Sequence, residues 1–281
     1  KTRKRVARRI PRPLATTKKE KMPSRKTINK KRLLKKEVKE IIKEKGKLHE
    51  EYTKFFEETY ASGYVKRDLV YELNDGNFLY VFDENESYRG GRGDIYPREY
   101  FFRFVRWNKR VKEDYANSRG SSVDHWRYYS KLKNELINNI EDLIERLGKE
   151  LEIPLNKLDR SYKSLDLISE KTETYGIDRA MENIYDNLVC YVGEVLIKRV
   201  AGEWRINKNF AGGEYPYVDV GLRNVQYMPI NIVWDELHGL EKMNLRKETG
   251  NEARQVGFKV NFERQFGDKI FKTINKKESG S

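Results

Sequence analysis

The sequence predicts an α+β protein that begins with a disordered, strongly basic N-terminal arm. Long stretches repeat apolar residues at the spacing of amphipathic helices, and shorter β-branched or aromatic runs flank turn signals. The charge is also uneven along the chain. Residues 1–47 hold 21 Lys and Arg against four Glu, a net charge of +17, whereas the whole chain carries +14. Residues 48–281 therefore carry −3, and the basic character belongs to the arm.

The arm is predicted to lack stable structure over residues 1–29, because it has little to bury and contains Pro11, Pro13 and Pro23. Concentrated positive charge attracts nucleic acid or another polyanion. A solvated tail without a specific partner explains the same composition. The residues expected to contact a polyanion are Arg3, Lys4, Arg5, Arg8, Arg9, Arg12, Lys18, Lys19, Arg25, Lys26, Lys30, Lys31 and Arg32.

An amphipathic helix is predicted over residues 30–63, where apolar residues recur at steps of three, four and seven before Gly63. Such a helix either lies on the globular body or pairs with another chain. A β-hairpin is predicted next, because the β-rich runs 69–73 and 78–82 flank Asn-Asp-Gly-Asn. Asp-Gly tolerates the positive φ angles of a tight hairpin turn.

The hairpin opens a region, residues 64–150, whose remainder is predicted to be mainly helical. Residues 88–94 read Tyr-Arg-Gly-Gly-Arg-Gly-Asp, which is either a plain loop or a phosphate or RNA contact through its arginines and amides. Residues 98–115 alternate aromatics with arginines at helical spacing. The aromatics fit a core face with the arginines exposed to solvent, and stacking on nucleic-acid bases is the alternative. A further long helix is predicted over residues 122–147.

The next region, residues 151–245, has the pattern of a small α-α-β-β-α module. Gly176 separates two predicted helices, and the second covers residues 178–200. Within it, Gly193 lies on or near the buried face, where a neighbour could approach closely. The two strands are predicted around residues 202–206 and 217–220, and the last helix over residues 231–239.

The C-terminal extension, residues 246–281, is predicted to add one more strand. Four apolar residues alternate there with polar ones, which is the two-residue period of a β-strand. They are Val256, Phe258, Val260 and Phe262.

Three short sequence motifs of the module are similar to motifs of a known domain family. Leu-Asp-x-Ser-x-x-Ser-Leu (158–165), Tyr-Val-Gly-Glu-Val (191–195) and Gly-Glu-Trp (202–204) resemble a small α+β domain of many uncharacterised bacterial proteins. Those relatives often have Tyr-Leu-Gly-Glu-Val followed by Gly-Gly-x-Trp. The resemblance covers about residues 155–245. Some relatives accompany toxins or secretion systems as immunity or accessory proteins, which implies recognition of another protein rather than catalysis.

Residues with catalytic or metal-binding potential are few. The three histidines, His49, His125 and His238, stand alone in the sequence without a ligand spacing such as His-Glu-x-x-His, so neither a metal nor another cofactor is expected. Cys190 is the only cysteine, which excludes an intramolecular disulfide and a cysteine-based zinc site. Neither a membrane-spanning apolar run nor a signal peptide is recognisable, so a cytoplasmic location is expected.

One cluster could still carry chemistry if the helix at 178–200 packs on the strands that follow it. Its expected members are Glu194, Lys198, Glu203, Trp204 and Asp219. Two carboxylates and a lysine can hold Mg²⁺ and position water for phosphodiester cleavage. An ordinary helical ion pair explains Glu194 and Lys198 equally well.

Three functions follow from these patterns. The first is a non-catalytic, immunity-like or accessory bacterial protein that recognises another protein through residues 151–245 while its arm binds a polyanion. The second is a nucleic-acid-binding protein that uses the arm and the aromatic helix. The third is a metal-dependent nuclease. The resemblance and the missing catalytic motifs favour the first.

Overall fold

The structure is a computed structural model that describes residues 31–208, 213–222 and 225–262 and Gln265. Helices and antiparallel sheets are both present, which confirms the α+β class. The chain divides into two compact units, Lys1–Arg98 and Glu99–Ser281, called unit 1 and unit 2 below. The arm predicted over residues 1–29 lies outside the described residues. Of the predicted polyanion contacts, only Lys31 and Arg32 are described.

Unit 1 is built on a five-stranded antiparallel sheet of order β1-β7-β6-β5-β2, beside a separate pair of β3 with β4. The elements in chain order are β1 (Lys31–Leu33), α1 (Lys35–Lys45), β2 (Gly46–Leu48), α2 (Glu50–Phe55), β3 (Glu58–Thr59), β4 (Val65–Lys66), β5 (Leu69–Leu73), β6 (Phe78–Val81) and β7 (Gly93–Tyr96). The core beneath the sheet includes Leu33, Val38 and Leu79. The predicted hairpin is confirmed, because β5 pairs with β6 and Gly76 has a φ of 78° in the turn.

The single helix predicted over residues 30–63 is wrong. β1, β2 and β3 interrupt this stretch, and α1 and α2 are its only helical parts. The reason lies far away in sequence, since β1 pairs with β7 and β2 pairs with β5. These pairings provide hydrogen-bond partners for the backbone groups of the two edge strands, β1 and β2. The local spacing of apolar residues carries no information about such distant pairing.

Unit 2 is mainly helical around a small three-stranded sheet of order β10-β9-β8. Its elements in chain order are α3 (Arg98–Ala116), α4 (Ser122–Tyr129), α5 (Ile140–Glu150), α6 (Tyr162–Tyr175), α7 (Ile177–Asn183), α8 (Tyr185–Val200), β8 (Glu203–Asn207), β9 (Tyr215–Asp219), β10 (Gln226–Tyr227), α9 (Pro229–His238) and α10 (Leu245–Phe262). The central element is α8, which is buried along most of its length. Its side chains form much of one large apolar core with α5, α9 and the sheet.

The order predicted for residues 151–245 is observed in α6 to α9, with two additions. β10 follows β9, and Ile184 divides the predicted second helix into α7 and α8. The expected close approach at Gly193 is confirmed. A Cβ atom added there would lie 2.0 Å from Cζ2 of Trp204, so the indole occupies the space that a side chain would need.

Two predicted elements of unit 2 differ in the structure. The helix expected over residues 122–147 is divided, because α4 ends at Tyr129 and a 3₁₀ segment, Lys133–Asn139, precedes α5. Asp186 accepts hydrogen bonds from the backbone N–H groups of Lys131 and Leu132 at 2.8 and 3.1 Å, which supplies partners outside the helix. The strand expected from the apolar alternation at residues 256–262 is wrong as well.

That C-terminal stretch belongs to α10. Val256 and Val260 are buried one helical turn apart, whereas Phe258 between them is 78% exposed. Among the described residues, none of the helices combines the length and the apolar composition that crossing a bilayer would need.

α3 is helical as predicted, but the expected aromatic core face is wrong, because Phe101 is the only buried residue among the six aromatics of this helix. The prediction for its charged face fails as well. The arginines were expected to face water, yet Arg110 is buried and Arg103 is half-buried. Arg103 forms a two-pronged ion pair with Glu173, at 3.0 and 2.9 Å. Arg110 donates to the carbonyl oxygen of Leu237 at 2.7 Å and pairs with Asp178. These two arginines therefore join α3 to α6, α7 and α9.

Candidate metal centre

Three helices of unit 2 bring Asp114, His125 and His238 together. Asp114 lies near the end of α3, His125 is in the middle of α4 and His238 is the last residue of α9. Oδ2 of Asp114 is 3.3 Å from Nε2 of His125 and 3.6 Å from Nε2 of His238. One ligand atom from each residue lies within 4.8 Å of the others. The His125 side chain is fully buried, and the other two are 9% exposed.

Local sequence fixes α4 and α9 against each other. Ser121 and Asp124 form a capping box at the start of α4, in which each side chain binds a backbone N–H group of the other residue. The first residue of α4, Ser122, donates a hydrogen bond to the side-chain oxygen of Asn231 in α9. Pro229 starts α9 at the position where a missing N–H costs nothing. His125 and His238 are thereby carried to one place.

A hydrogen bond within α9 selects the tautomer of His238. Its Nδ1 lies 3.1 Å from the carbonyl oxygen of Trp234, one helical turn earlier. Because a carbonyl oxygen can only accept, Nδ1 carries the proton in this bond and Nε2 presents its lone pair. Nε2 of His238 and Nε2 of His125 are both buried without a hydrogen-bond partner in the described part of the chain. His238 thus has the arrangement of metal-binding histidines, with one nitrogen held by a carbonyl and the other free. In His125 neither ring nitrogen has a hydrogen-bond partner among the described residues.

Burial controls the protonation of the group. It lowers the pKa of His125 to about 3, and the charges of His238 and Arg119 act in the same direction. It also lowers the pKa of His238 to about 3, with Arg110 adding to the effect. Burial raises the pKa of Asp114 against the opposing effects of Arg119 and Arg110. Both imidazoles are consequently neutral near pH 7. Nε2 of each faces the carboxyl group of Asp114, and in His238 this is the unprotonated nitrogen.

Two neighbouring side chains hold the three residues in place. Arg119 donates from Nε to Oδ1 of Asp114 at 2.9 Å and packs over the ring of Tyr128, 4.0 Å from its centre. This leaves Oδ2 of Asp114 turned to the histidines. Trp234 stacks on His238 with ring centres 3.5 Å apart and also contacts His125. The orientation of each potential ligand is thus set by a second residue.

The group borders an open cavity of about 960 Å³. Asp114 and His238 form part of its wall, whereas His125 lies behind them. The other lining groups include three large aromatics and two further carboxylates, namely Trp107, Tyr115, Trp234, Asp124 and Asp235. A ligand as large as an ordinary substrate can therefore reach two of the three residues.

Two of the three separations fit a tetrahedral ion. With bonds of about 2.0–2.1 Å to nitrogen and oxygen, two ligands of a tetrahedral zinc ion lie about 3.3 Å apart. The distances from Oδ2 of Asp114 to the two Nε2 atoms, 3.3 and 3.6 Å, are close to that value. The residues present therefore provide three of the four positions of such an ion, with the cavity beside them.

The residues of the cluster predicted from the sequence (Glu194, Lys198, Glu203, Trp204 and Asp219) do not meet at one site. They form separate pairwise contacts. Trp204 donates from Nε1 to Oε1 of Glu194 at 2.9 Å, and Arg160 lies 3.4 Å from the other oxygen of that carboxylate. Lys198 donates to the backbone carbonyl of Asp159 at 3.0 Å instead of pairing with Glu194. Glu194 thus orients the indole that packs on α8.

The two strand carboxylates of that cluster face each other across the sheet, because Glu203 and Asp219 are register partners in β8 and β9. Arg205 forms an ion pair with each of them. It lies 2.6 Å from Oε1 of Glu203 and 2.9 Å from Oδ2 of Asp219. These ion pairs account for both acids within the sheet.

Sequence reasoning expected three isolated histidines and missed the group around Asp114. His49 does stand apart in unit 1, where it caps α2 by accepting from the N–H of Tyr52 at 3.4 Å. His125 and His238 are 113 positions apart in the chain, yet their ring centres are 4.9 Å apart. The one local signal was Trp234-x-x-x-His238, which places a tryptophan and a histidine on the same helix face.

We compared the chain with protein-family models, curated protein sequences and solved structures, and none of them matched. The chemistry of the group is accordingly argued from its geometry.

Proposed function

We propose that unit 2 binds one divalent transition-metal ion through Asp114, His125 and His238, and uses it in a metal-dependent reaction in the adjoining cavity. One observation carries this proposal. Two buried Nε2 atoms without hydrogen-bond partners in the described chain face a single carboxylate oxygen at 3.3 and 3.6 Å. Buried polar atoms are nearly always partnered in folded proteins, and a shared cation provides the partner for all three.

The donor set indicates the class of ion. Two imidazoles and one carboxylate suit zinc and iron(II), whereas magnesium and calcium prefer oxygen ligands alone. Structural zinc sites use four protein ligands, and catalytic sites use three with an open position. The three residues beside a cavity correspond to the catalytic type.

Hydrolysis is the reaction class that this arrangement supports best. A zinc ion with an open position lowers the pKa of bound water to about 7 and so supplies a nucleophile at neutral pH. Arg119 acts as a positioning residue, because it holds Asp114 and leaves its second oxygen to the centre.

Cobalt spectroscopy tests the proposal on the full chain. After treatment with a chelator, titration with Co²⁺ is expected to give visible absorption bands that saturate at about one equivalent, since the described residues contain one such group of ligands. Added Zn²⁺ is expected to remove the bands. The His49→Ala protein serves as a control of the same residue type and should titrate like the wild type. A featureless spectrum with excess Co²⁺ would refute the proposal.

Recognition of another protein through residues 151–245 stays a prediction alongside this proposal. The two sites overlap in sequence only at His238, because Asp114 and His125 lie outside that segment. A nuclease function, if present, is better assigned to the centre at Asp114 than to Glu194 and Glu203, whose carboxylates are held by Trp204, Arg160 and Arg205.

A further inference from the structure

The loop between β6 and β7 of unit 1 places arginines around a second, smaller cavity. This cavity has a volume of about 300 Å³ and is lined by Arg32 from β1 and by Arg89 and Arg92 from the loop. Two aromatic side chains, Tyr88 and Phe82, also form its wall. The volume is at the lower end of the range for small-ligand sites, which suits a single nucleotide unit better than a folded partner.

The loop has a defined conformation and is more than a flexible connection. The N–H of Phe82 donates to the carbonyl of Arg92 at 2.9 Å, and that of Gly91 donates to the carbonyl of Phe82 at 3.0 Å. These bonds extend the β6–β7 ladder into the loop. At Gly90 a Cβ atom would lie 2.4 Å from the carbonyl oxygen of Glu84, so only glycine fits this turn. The glycines therefore allow a compact fold that holds Arg89 and Arg92 beside β1.

The cavity carries a positive charge that no acid fully compensates. Among the described residues, no carboxylate forms an ion pair with Arg32, Arg89 or Arg92. Asp94 is the one acid of the wall. It is 3% exposed and is the register partner of Arg32, so it offsets only part of the charge. Exposed guanidinium groups gathered in this way bind phosphate oxygens through two hydrogen bonds each.

An aromatic platform lies beside these charges. Tyr88 is 88% exposed, which is unusual for a large aromatic side chain that serves only packing. The Arg89 guanidinium lies 5.1 Å from the ring centre of Phe82, so this arginine is already held over an aromatic face. Aromatic rings and arginine planes that border a cationic groove are the features with which proteins hold single-stranded nucleic acid.

The basic arm immediately precedes the strand that borders the cavity. β1 begins at Lys31 and contains Arg32, so the basic segment leads directly into the strand that borders the cavity. Residues 1–30 contain 13 Lys and Arg against one Glu, whereas residues 31–98 contain 14 of each charge sign. The excess positive charge of unit 1 is therefore concentrated in residues 1–30, and the cavity is a local cationic site in a segment whose net charge is zero.

We propose that unit 1 binds single-stranded nucleic acid at this cavity. Arg32, Arg89 and Arg92 contact backbone phosphates, Tyr88 stacks on a base, and the arm contributes attraction that is independent of sequence. This site is separate from the metal centre proposed for unit 2, and either proposal can fail without the other.

Fluorescence anisotropy with a labelled 12-nucleotide single strand tests the site in the full chain over a series of NaCl concentrations. The Arg89→Ala/Arg92→Ala protein is expected to bind at least about 10-fold more weakly. The slope of log Kd against log salt should fall by about 1.4, because each phosphate contact to a single strand contributes about 0.7. Tyr88→Ala should weaken binding about 10-fold and leave the slope unchanged, since stacking releases no counterions.

A control of equal charge change separates the site from general attraction. Lys36→Ala/Lys39→Ala removes two exposed cations from α1 and should change Kd less than about 2-fold. Equal losses in this control and in the loop variant would overturn the proposal, as would wild-type binding by Tyr88→Ala. It would also be overturned if anionic lipid vesicles were bound in an Arg89- and Arg92-dependent way while the oligonucleotide was not. Circular dichroism verifies that each variant is folded.

Discussion

Replacing His238 with alanine is expected to weaken Co²⁺ and Zn²⁺ binding to the full chain by more than about 100-fold. Loss of a residue that merely orients a ligand typically costs about 10- to 100-fold in metal affinity, and His238 is assigned as a ligand itself. The expected cause is local, because its Nε2 faces Oδ2 of Asp114 at 3.6 Å with no other partner in the described chain. Competition titration against a chelator of known affinity measures the change.

Two further variants show whether this loss of metal affinity comes from the proposed site. Asp114→Asn preserves the shape of the side chain but removes its charge, and it should lose metal affinity to a similar degree. His49→Ala removes an imidazole from unit 1 and should leave the affinity unchanged. If His238→Ala is unfolded, Asp114→Asn carries the test. Wild-type affinity in a folded His238→Ala protein would show that the imidazole does not bind the metal.

Replacing Gly193 with alanine is expected to destabilise unit 2 by about 2–3 kcal/mol, which is the upper part of the range for overpacking a core. The new Cβ would lie 2.0 and 2.1 Å from two atoms of the Trp204 ring. The indole cannot move aside without losing its hydrogen bond to Glu194. Urea unfolding followed by tryptophan fluorescence measures the change in the free energy of unfolding.

Gly257 is the matched control for this substitution. It lies within α10, and a Cβ atom added there has no neighbour within 4 Å. Gly257→Ala is expected to be neutral or to stabilise the helix by up to about 1 kcal/mol, because alanine has the higher helix propensity. Equal stabilities of the two variants would mean that Trp204 does not pack on Gly193.

The parts of the fold that the sequence predicts are those with a local cause. Asp75-Gly76 sets the hairpin turn, and α6 and α7 lie on the two sides of Gly176. Prediction from the local sequence pattern fails where a contact with a residue distant in sequence determines the secondary structure. Pairing with β7 and β5 interrupts the stretch at 30–63. In the same way, the carboxylate of Asp186 accepts the backbone N–H groups that follow α4.

The candidate site is even less accessible to sequence reasoning. Glu194 and Trp204 do come together as expected, because α8 leads directly into β8. Their role is packing, however, and no period or motif distinguishes a packed carboxylate from a reactive one. Asp114, His125 and His238 meet only because α3, α4 and α9 converge in space. Such convergence depends on tertiary packing, and helical periodicity carries no information about it.

Asp114, His125 and His238 are proposed to hold one metal ion. Anomalous X-ray diffraction from crystals of the full chain grown with Zn²⁺, measured at the zinc absorption edge, locates that ion. One strong anomalous peak is expected about 2.0–2.2 Å from Nε2 of His125, Nε2 of His238 and a carboxylate oxygen of Asp114. A map without a peak at this position, with His238 hydrogen-bonded directly to Asp114, would show that the three residues do not hold a metal ion.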